Sequence, residues 1–346
     1  MFDVYITKTG KFLPNEPISN DEMESYLGMI NEAASKARRL VLRNNKIVSR
    51  YYAIDKNGNS THSNAELTRN AVEKLFDGHF ASKDMQLLSC GTATPDSFLP
   101  SHAAMVHGLL KNHSVELNSS TGICCAGMNS LKYGFLSVRS GNTENAVCTG
   151  SEKVSTWMLS DGAGAMLLEN KPSGDVSLKI EWMESFSYAH ELEACMYAGG
   201  DKIADGTIKS WSEYRPEEWI TESIFSIKQD VKLLDEHILV KGAESMSAAL
   251  AKHNVQSSEI DYFVPHVSSH YFVQGLRKAL DEKGVGVPTE NWFMNLSRVG
   301  NVGSASIYLA LEELMNSGRL QKGQKILLSV PESGRFSYAY AYLTVC

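Results

Sequence analysis

The chain lacks a run of apolar residues approaching the roughly 20 that a bilayer-spanning helix needs, which excludes insertion into a membrane. It has no block of Lys and Arg. With 33 basic against 40 acidic residues the formal net charge is -7, which argues against a nucleic-acid surface but leaves room for a local basic patch. The opening Met1-Phe2-Asp3-Val4-Tyr5-Ile6 has neither the basic start nor the long apolar core of a secretory signal. It reads as an immediate strand, and a cytoplasmic location is expected. Cysteines stand at Cys90, Cys124, Cys125, Cys148, Cys195 and Cys346 with no Cys-x-x-Cys pair. That distribution fits reduced thiols rather than a disulfide framework or a zinc site, so no metal is expected.

What is present is an ordinary globular composition over 346 residues, more than one core usually serves. Strand and helix patterns alternate. A strand over Val4–Ile6 precedes a loop and a helix after Asn20-Asp21; a helix over Ala65–Phe76 leads to a strand over Met85–Cys90. Further strands are expected over Asn145–Thr149, Asp161–Leu168, Ile260–Pro265, Lys325–Val330 and Tyr338–Val345. The alternation predicts an α/β fold. Residues 1–170 form one expected half and 171–346 the other, with an aromatic-rich cap or interface insertion near 181–222. An internal echo supports two similar halves: small residues, a helix, a Ser-Gly stop, a polar turn and a strand follow Cys125, and the same order follows Asn301.

Cys125 is the most informative position. The run Asn118-Ser-Ser-Thr-Gly-Ile-Cys124-Cys125-Ala-Gly-Met128 feeds small residues into a helix whose Met128, Leu131, Phe135 and Val138 share one face and which Gly141 stops. A sulfur at a helix N-terminus meets free N–H groups and the positive dipole end, which lower a thiol pKa and can hold an oxyanion. The alternative is a buried small hydrophobe, as most free cysteines are. Cys124 is read as packing, because the residue directly before Ala-Gly opens the helix.

His266 ends the strand Ile260–Pro265, and Asn301 stands at the start of the second echoed helix. Strand ends are where α/β folds keep their chemistry. A Cys/His/Asn set suits carbon–carbon bond formation at a thioester, the cysteine holding an acyl group while His and Asn steady an enolate. The same residue types occur in proteases, and singly His266 and Asn301 are more often structural.

The segments Thr94-Pro-Asp-Ser-Phe-Leu-Pro100, Cys125-Ala-Gly-Met128, Asp161-Gly-Ala-Gly-Ala165, Val264-Pro-His266, Gly300-Asn301 and Gly334-Arg-Phe-Ser337 together resemble 3-ketoacyl-(acyl carrier protein) synthase III of the thiolase superfamily. The resemblance spans nearly the whole chain. It implies a five-layered αβαβα thiolase fold, a homodimer, and Cys125, His266 and Asn301 as catalytic residues. It also implies an oxyanion hole from the backbone N–H groups of Cys125 and Gly334. No cofactor is implied: the substrates are acyl thioesters carried by coenzyme A or by the phosphopantetheine of an acyl carrier protein.

Departures sharpen the likeness. Val267-Ser268-Ser269 follows the histidine, and the C-terminal loop reads Pro331-Glu332-Ser333-Gly334-Arg335-Phe336. These look like the ketosynthase branch that makes dialkylresorcinol and bacterial stilbene precursors, joining a 3-oxoacyl thioester to a 2-enoyl thioester to form a cyclohexane-1,3-dione. Ser269 and Arg335 are then substrate-binding candidates, although a structural Arg335–Glu332 pair explains the arginine equally. The enzymatic alternative is a decarboxylating synthase III using acyl-CoA and malonyl carrier protein; a third reading is acyl transfer to an oxygen or nitrogen nucleophile, and a fourth, from a different class, is an inactive partner subunit. Lys36, Arg38, Arg39, Arg43 and Lys46, and the pair Arg277 and Lys278, are candidate docking sites for the carrier protein, with a solvated helix face as the plainer explanation.

Overall fold

Nine strands form a single continuous sheet whose order reveals the internal duplication. The structure, a computed structural model, describes residues 1–29, 33, 35 and 38–346. The strands are β1 (Tyr5–Phe12), β2 (Leu87–Thr92), β3 (Glu116–Thr121), β4 (Asn145–Glu152), β5 (Gly162–Glu169), β6 (Leu178–Ser187), β7 (Tyr262–Pro265), β8 (Lys325–Glu332) and β9 (Ser337–Val345). Outward from β1 the first half runs β1-β5-β4-β2-β3, with antiparallel, antiparallel, parallel and parallel pairings. Outward from β6 the second half runs β6-β9-β8-β7, antiparallel, antiparallel and parallel, and a parallel bridge from Phe263 to Trp292 stands where the fifth strand falls. The two series match step for step. They meet where β1 pairs antiparallel with β6.

Helices α1 (Asn64–Glu73), α2 (His102–Leu110), α3 (Cys125–Ser140), α4 (Val231–Lys252), α5 (Tyr271–Glu282) and α6 (Ser306–Met315) fill three layers around these strands. α1 packs on β1 and β5 and α2 on β2 and β3; α4 packs on β8 and β9 and against α5. Between the two halves lie α3, touching β2 and β4 on one side and β8 and β9 on the other, and α6. Five layers result, as the thiolase fold requires.

Sequence accounts for the boundaries. Ser63 opens α1 with a capping box, its hydroxyl accepting from the Glu66 N–H while the Glu66 carboxylate accepts from the Ser63 N–H. Asp230 caps α4 by accepting from the Leu233 N–H. α3 is sandwiched, so ten of its sixteen residues are buried and its interior includes Met128, Leu131, Phe135 and Val138. Each fully buried large aliphatic side chain there contributes about 1.5–3 kcal/mol. β4 is buried along all but its first residue, the signature of a strand covered on both faces. Gly127 is where the central helices touch: a Cβ there would run into the Ser304 carbonyl oxygen, so only glycine lets α3 and the start of α6 meet. The Tyr308 hydroxyl donates to the Gly127 carbonyl across the same seam, 2.8 Å.

One boundary needs correction. The insertion expected near 181–222 begins inside β6, which runs to Ser187 and pairs with β9 along its length. Leu178, Ile180, Trp182 and Met183 are buried; the alternation breaks at the adjacent buried pair Trp182–Met183, where the pairing with β9 shifts register. The irregular segment starts at Tyr188 and carries two small ribbons, one pairing Gly200–Lys202 with Ile208–Ser210, the other Met196–Tyr197 with Lys228–Gln229.

Candidate active site

The ends of β2, β4, β7 and β8 and the starts of α3 and α6 converge on a cavity of ≈ 720 Å³. That is ample for a small-molecule ligand, for which sites run from about 300 to 1,000 Å³. Its polar end is lined by Thr94, Cys124, Glu152, His266 and Asn301. Its apolar walls come from α4 and α5, through Leu234, Ile238, Met246, Phe272, Leu276 and Leu280.

β7 delivers His266. Its backbone N–H donates to the Ser329 carbonyl at 2.8 Å, prolonging the parallel ladder with β8 by one residue. The ring is buried and its Nε2 has no hydrogen-bond partner. Burial pushes its pKa down to about 4, so the imidazole is neutral at pH 7.

Asn301 is fixed through its backbone. Its carbonyl accepts from the Ser160 N–H at 2.7 Å and its N–H donates to the Met158 carbonyl. Oδ1 accepts from the Gly303 N–H at 2.9 Å, which orients the amide and leaves its NH2 edge as the donor side. The Asp161 motif is structural: its carboxylate accepts from the N–H groups of Val154, Ser155 and Ala53 and locks two loops beneath the asparagine.

The two adjacent cysteines differ. Cys124 lines the cavity, whereas Cys125 sits just behind it with Sγ donating to the Val330 carbonyl at 3.3 Å and the Ser337 carbonyl at 3.8 Å. The N-terminus of α3 is not free. Glu332 Oε2 accepts from the N–H groups of Cys125 and Ile123, both at 2.9 Å. The expected depressed thiol is therefore corrected: burial first, and then the Glu332 charge, push the Cys125 pKa well above its ordinary value. The Cys125 N–H, expected as an oxyanion donor, carries a carboxylate instead. Gly334 lies next to this point, close to Ile123 and Glu332.

Other expected site residues are placed away from the cavity. Arg335 is exposed, its Nε donates to the Leu192 carbonyl at 2.7 Å, and no Glu332 pair forms, because Glu332 turns inward to the α3 amides. Ser269 is buried, and its Oγ accepts from the Tyr271 N–H at the start of α5; the neighbouring Ser268 faces the cavity. Arg38 pairs with Glu24 at 3.0 Å, and Arg39 is exposed on the same helix, Arg38–Asn45. Lys36 lies outside the described residues. Arg277 and Lys278 are exposed on α5 in i,i+4 pairs with Asp281 and Glu282.

Glu152 is the site residue that the sequence reading missed. It ends β4, is 3% exposed and accepts from the Ala93 N–H at 3.1 Å, the Thr94 hydroxyl at 2.8 Å and the Ser304 N–H at 3.3 Å. Burial raises its pKa to about 7 against these lowering hydrogen bonds, and no cation faces it among the described residues. An acid one residue past a run of apolar and small strand residues was the available signal.

Comparison with known proteins agrees with this arrangement. Residues 250–342 match the family model described as 3-oxoacyl-[acyl-carrier-protein] synthase III C terminal. The β-ketoacyl-[acyl-carrier-protein] synthase III of Clostridium perfringens is 25% identical, the match covering 92% of each chain. That of Xanthomonas campestris is also 25% identical, covering 98% of this chain and 97% of the relative. Among solved structures, the tetronic acid condensing enzyme AbyA1 superposes with a TM-score of 0.81 at 19% identity, covering 99% of both chains. OleA from Xanthomonas campestris gives 0.77 at 18% identity, covering 99% of this chain and 98% of that one. Fold and relatives together define the class: a condensing acyltransferase on the thiolase fold. Within that class the chain is similar to the 3-oxoacyl-[acyl-carrier-protein] synthase III enzymes, through its C-terminal match and its 25% identical relatives.

Proposed function

We propose that this enzyme joins a 3-oxoacyl thioester to a 2-enoyl thioester and closes a cyclohexane-1,3-dione, the precursor of a dialkylresorcinol or stilbene. The observation that carries this reading is Glu152, a buried carboxylate without a countercharge on the wall that also holds His266 and Asn301. A decarboxylating synthase makes its enolate by losing carbon dioxide and needs no base. A condensation that starts from a carbon acid does, and a carboxylate whose pKa lies at about 7 suits that task.

Cys125 carries the enoyl chain as a thioester. Glu152 takes the proton between the two carbonyls of the 3-oxoacyl partner, and the enolate oxygen is held by the His266 imidazole and the Asn301 NH2. The carbanion adds to the β-carbon of the enoyl group. A second enolate, on the far side of the ketone, attacks the Cys125 thioester carbonyl and expels the Cys125 thiolate; water then hydrolyses the remaining carrier thioester, releasing the carrier thiol, and the resulting β-keto acid loses carbon dioxide to leave the dione. His266 stays neutral, so it holds the enolate oxygen by donating a ring N–H rather than as a cation.

The substrates arrive on an acyl carrier protein. Arg38 and Arg39 share a helix with Val41, and Arg277 and Lys278 share α5 with Phe272 and Leu276; Val41, Phe272 and Leu276 wall the cavity. Both helices thus turn basic residues outward beside the entry. A homodimer is built across β3, an edge strand of the sheet flanked by exposed Met105, Leu117, Tyr133 and Leu136.

The decarboxylating synthase III reading is favoured by the names of the 25% identical relatives. A competition separates the two. Enoyl carrier thioester is offered malonyl and 3-oxoacyl carrier thioesters together and the products are weighed. A released cyclic dione is expected; a linear 3-oxoacyl thioester built from malonate, with the 3-oxoacyl donor untouched, overturns the proposal.

A further inference from the structure

Glu332 and the start of α3 form a closed arrangement that the reaction above must open. The carboxylate holds the N–H of Cys125 and of Ile123 at once. Two glycines make its berth: a Cβ on Gly334 would approach Glu332 Oε1 to 3.3 Å, and one on Gly122, at φ +148, would approach Oε2 to 3.2 Å. The Cys125 sulfur meanwhile donates to two strand carbonyls, contacts available to a thiol and repulsive to a thiolate. An attacking thiolate needs both conditions reversed, and a thioester carbonyl becoming an oxyanion needs the very amide that Glu332 occupies.

We propose that Glu332 is a positioning residue that fills the oxyanion site and keeps Cys125 unreactive in the resting enzyme, and that the acyl thioester displaces it. This rests on the reading of Cys125 as the acyl carrier. A carboxylate and a carbonyl oxygen compete for the same N–H groups, so loading the substrate removes the negative charge beside the sulfur in the step that frees the amide. Arg335 is the landing place. It lies three residues further along the same turn, is exposed, and holds only the Leu192 carbonyl among the described residues. The enzyme gains protection of a buried nucleophile against adventitious thiol reagents until an acyl group is present.

Other ionisable groups face the sulfur. Cys124 stands beside it just before α3, and Tyr338 and Tyr340 approach from β9. None is cationic, so among these neighbours it is removal of Glu332 that takes away a negative charge from the helix start.

The test is alkylation of the full-length protein and Glu332→Gln by iodoacetamide from pH 6 to pH 10, with Cys124 and Cys125 quantified separately by peptide mass spectrometry. At pH 7 the variant's Cys125 should react about tenfold faster, its profile displaced downward by about one pH unit. Profiles that superimpose at Cys125 overturn the proposal. Should Glu332→Gln not melt cooperatively, Glu332→Asp replaces it. Its shorter side chain withdraws the charge from the amides, so faster Cys125 alkylation supports the proposal and an unchanged profile overturns it. The readout needs no acyl substrate. A shifted Cys125 profile in an enzyme that makes no cyclic product keeps Glu332 in this role and rejects the cyclisation reading alone.

Discussion

β4 and β8 are equivalent strands of the two halves; each is eight residues long and each ends in a glutamate, Glu152 and Glu332. Each carboxylate crosses to the central helix of the other half, Glu152 to the Ser304 N–H before α6 and Glu332 to the Cys125 N–H at α3. The pair is symmetric in position and unequal in consequence. Glu152 sits on an interior amide, lines the cavity and is held by a hydroxyl as well, so it can exchange a proton with a ligand. Glu332 sits on the amide of the nucleophile, so wherever it stays nothing else can bind there. Duplication supplies matching acids at facing helix ends. What each can do is set by the residue whose N–H it holds.

The harshest challenge to this comparison is to remove the sulfur that distinguishes the two ends. Cys125→Ala should abolish the covalent acyl adduct seen by intact-protein mass spectrometry after incubation with an enoyl thioester, whereas Cys124→Ala should retain it. An adduct that survives in Cys125→Ala and disappears in Cys124→Ala would move the nucleophile to the cysteine that lines the cavity. Next in size is Glu152→Gln, which keeps shape and loses the base. Acylation of Cys125 should proceed while dione formation falls about 10²–10⁴-fold, the usual contribution of a general base. Equal losses in the two half-reactions would show that Glu152 holds the fold instead.

Titration of stability sharpens the same contrast. Glu152 has its pKa raised from 4.5 to about 7, so between those values the folded chain holds a proton that the unfolded chain has lost, and stability falls as pH rises. His266 has its pKa lowered from 6.5 to about 4; there the unfolded chain holds the extra proton and stability rises with pH. From pH 4.5 to 6.5 the two oppose each other, each by at most about 1.4 kcal/mol per pH unit. Glu152→Gln should therefore steepen the rise of the urea midpoint across that range, and His266→Gln should flatten it. Parallel curves for Glu152→Gln and the parent would mean that the carboxyl is ionised throughout.

Much of this arrangement was legible in the chain. Met128, Leu131, Phe135 and Val138 at helical spacing, with Gly141 behind them, place α3 as found, because the helix is sandwiched and its periodicity is a direct imprint of burial. The echo after Asn301 is legible for the same reason, since α6 lies in the same layer. Glu152 was not. The strand was read as ending at Thr149, and an acid beyond a strand end is ordinarily solvated; only the crossing of β4 over the start of α6 buries it. The misplacement of Ser269 follows from the bend at Ser268: His266, Val267 and Ser268 line the cavity, whereas past the bend the Ser269 hydroxyl accepts from the Tyr271 N–H where the chain enters α5.

Arg335 shows the same limit and gives the smallest effect. Adjacent to Gly334 in sequence, it was read as reaching the substrate, yet the turn sends its side chain outward to the Leu192 carbonyl while Gly334 faces Ile123. The turn has further ties to the segment below it, through the Cys195 and Met196 N–H groups on the Gly334 carbonyl and the Tyr188 N–H on the Phe336 carbonyl. Arg335→Ala removes one of these links at an exposed position and should cost about 0.5–1.5 kcal/mol, with Cys125 acylation unchanged. Its role as the landing place for Glu332 predicts a less populated open state, and so a modestly lower resting alkylation of Cys125 than in the parent. If dione formation collapses in this variant while acylation and the melting temperature hold, the arginine reaches the substrate after all, and the outward placement of this turn is not the one in which the ring closes.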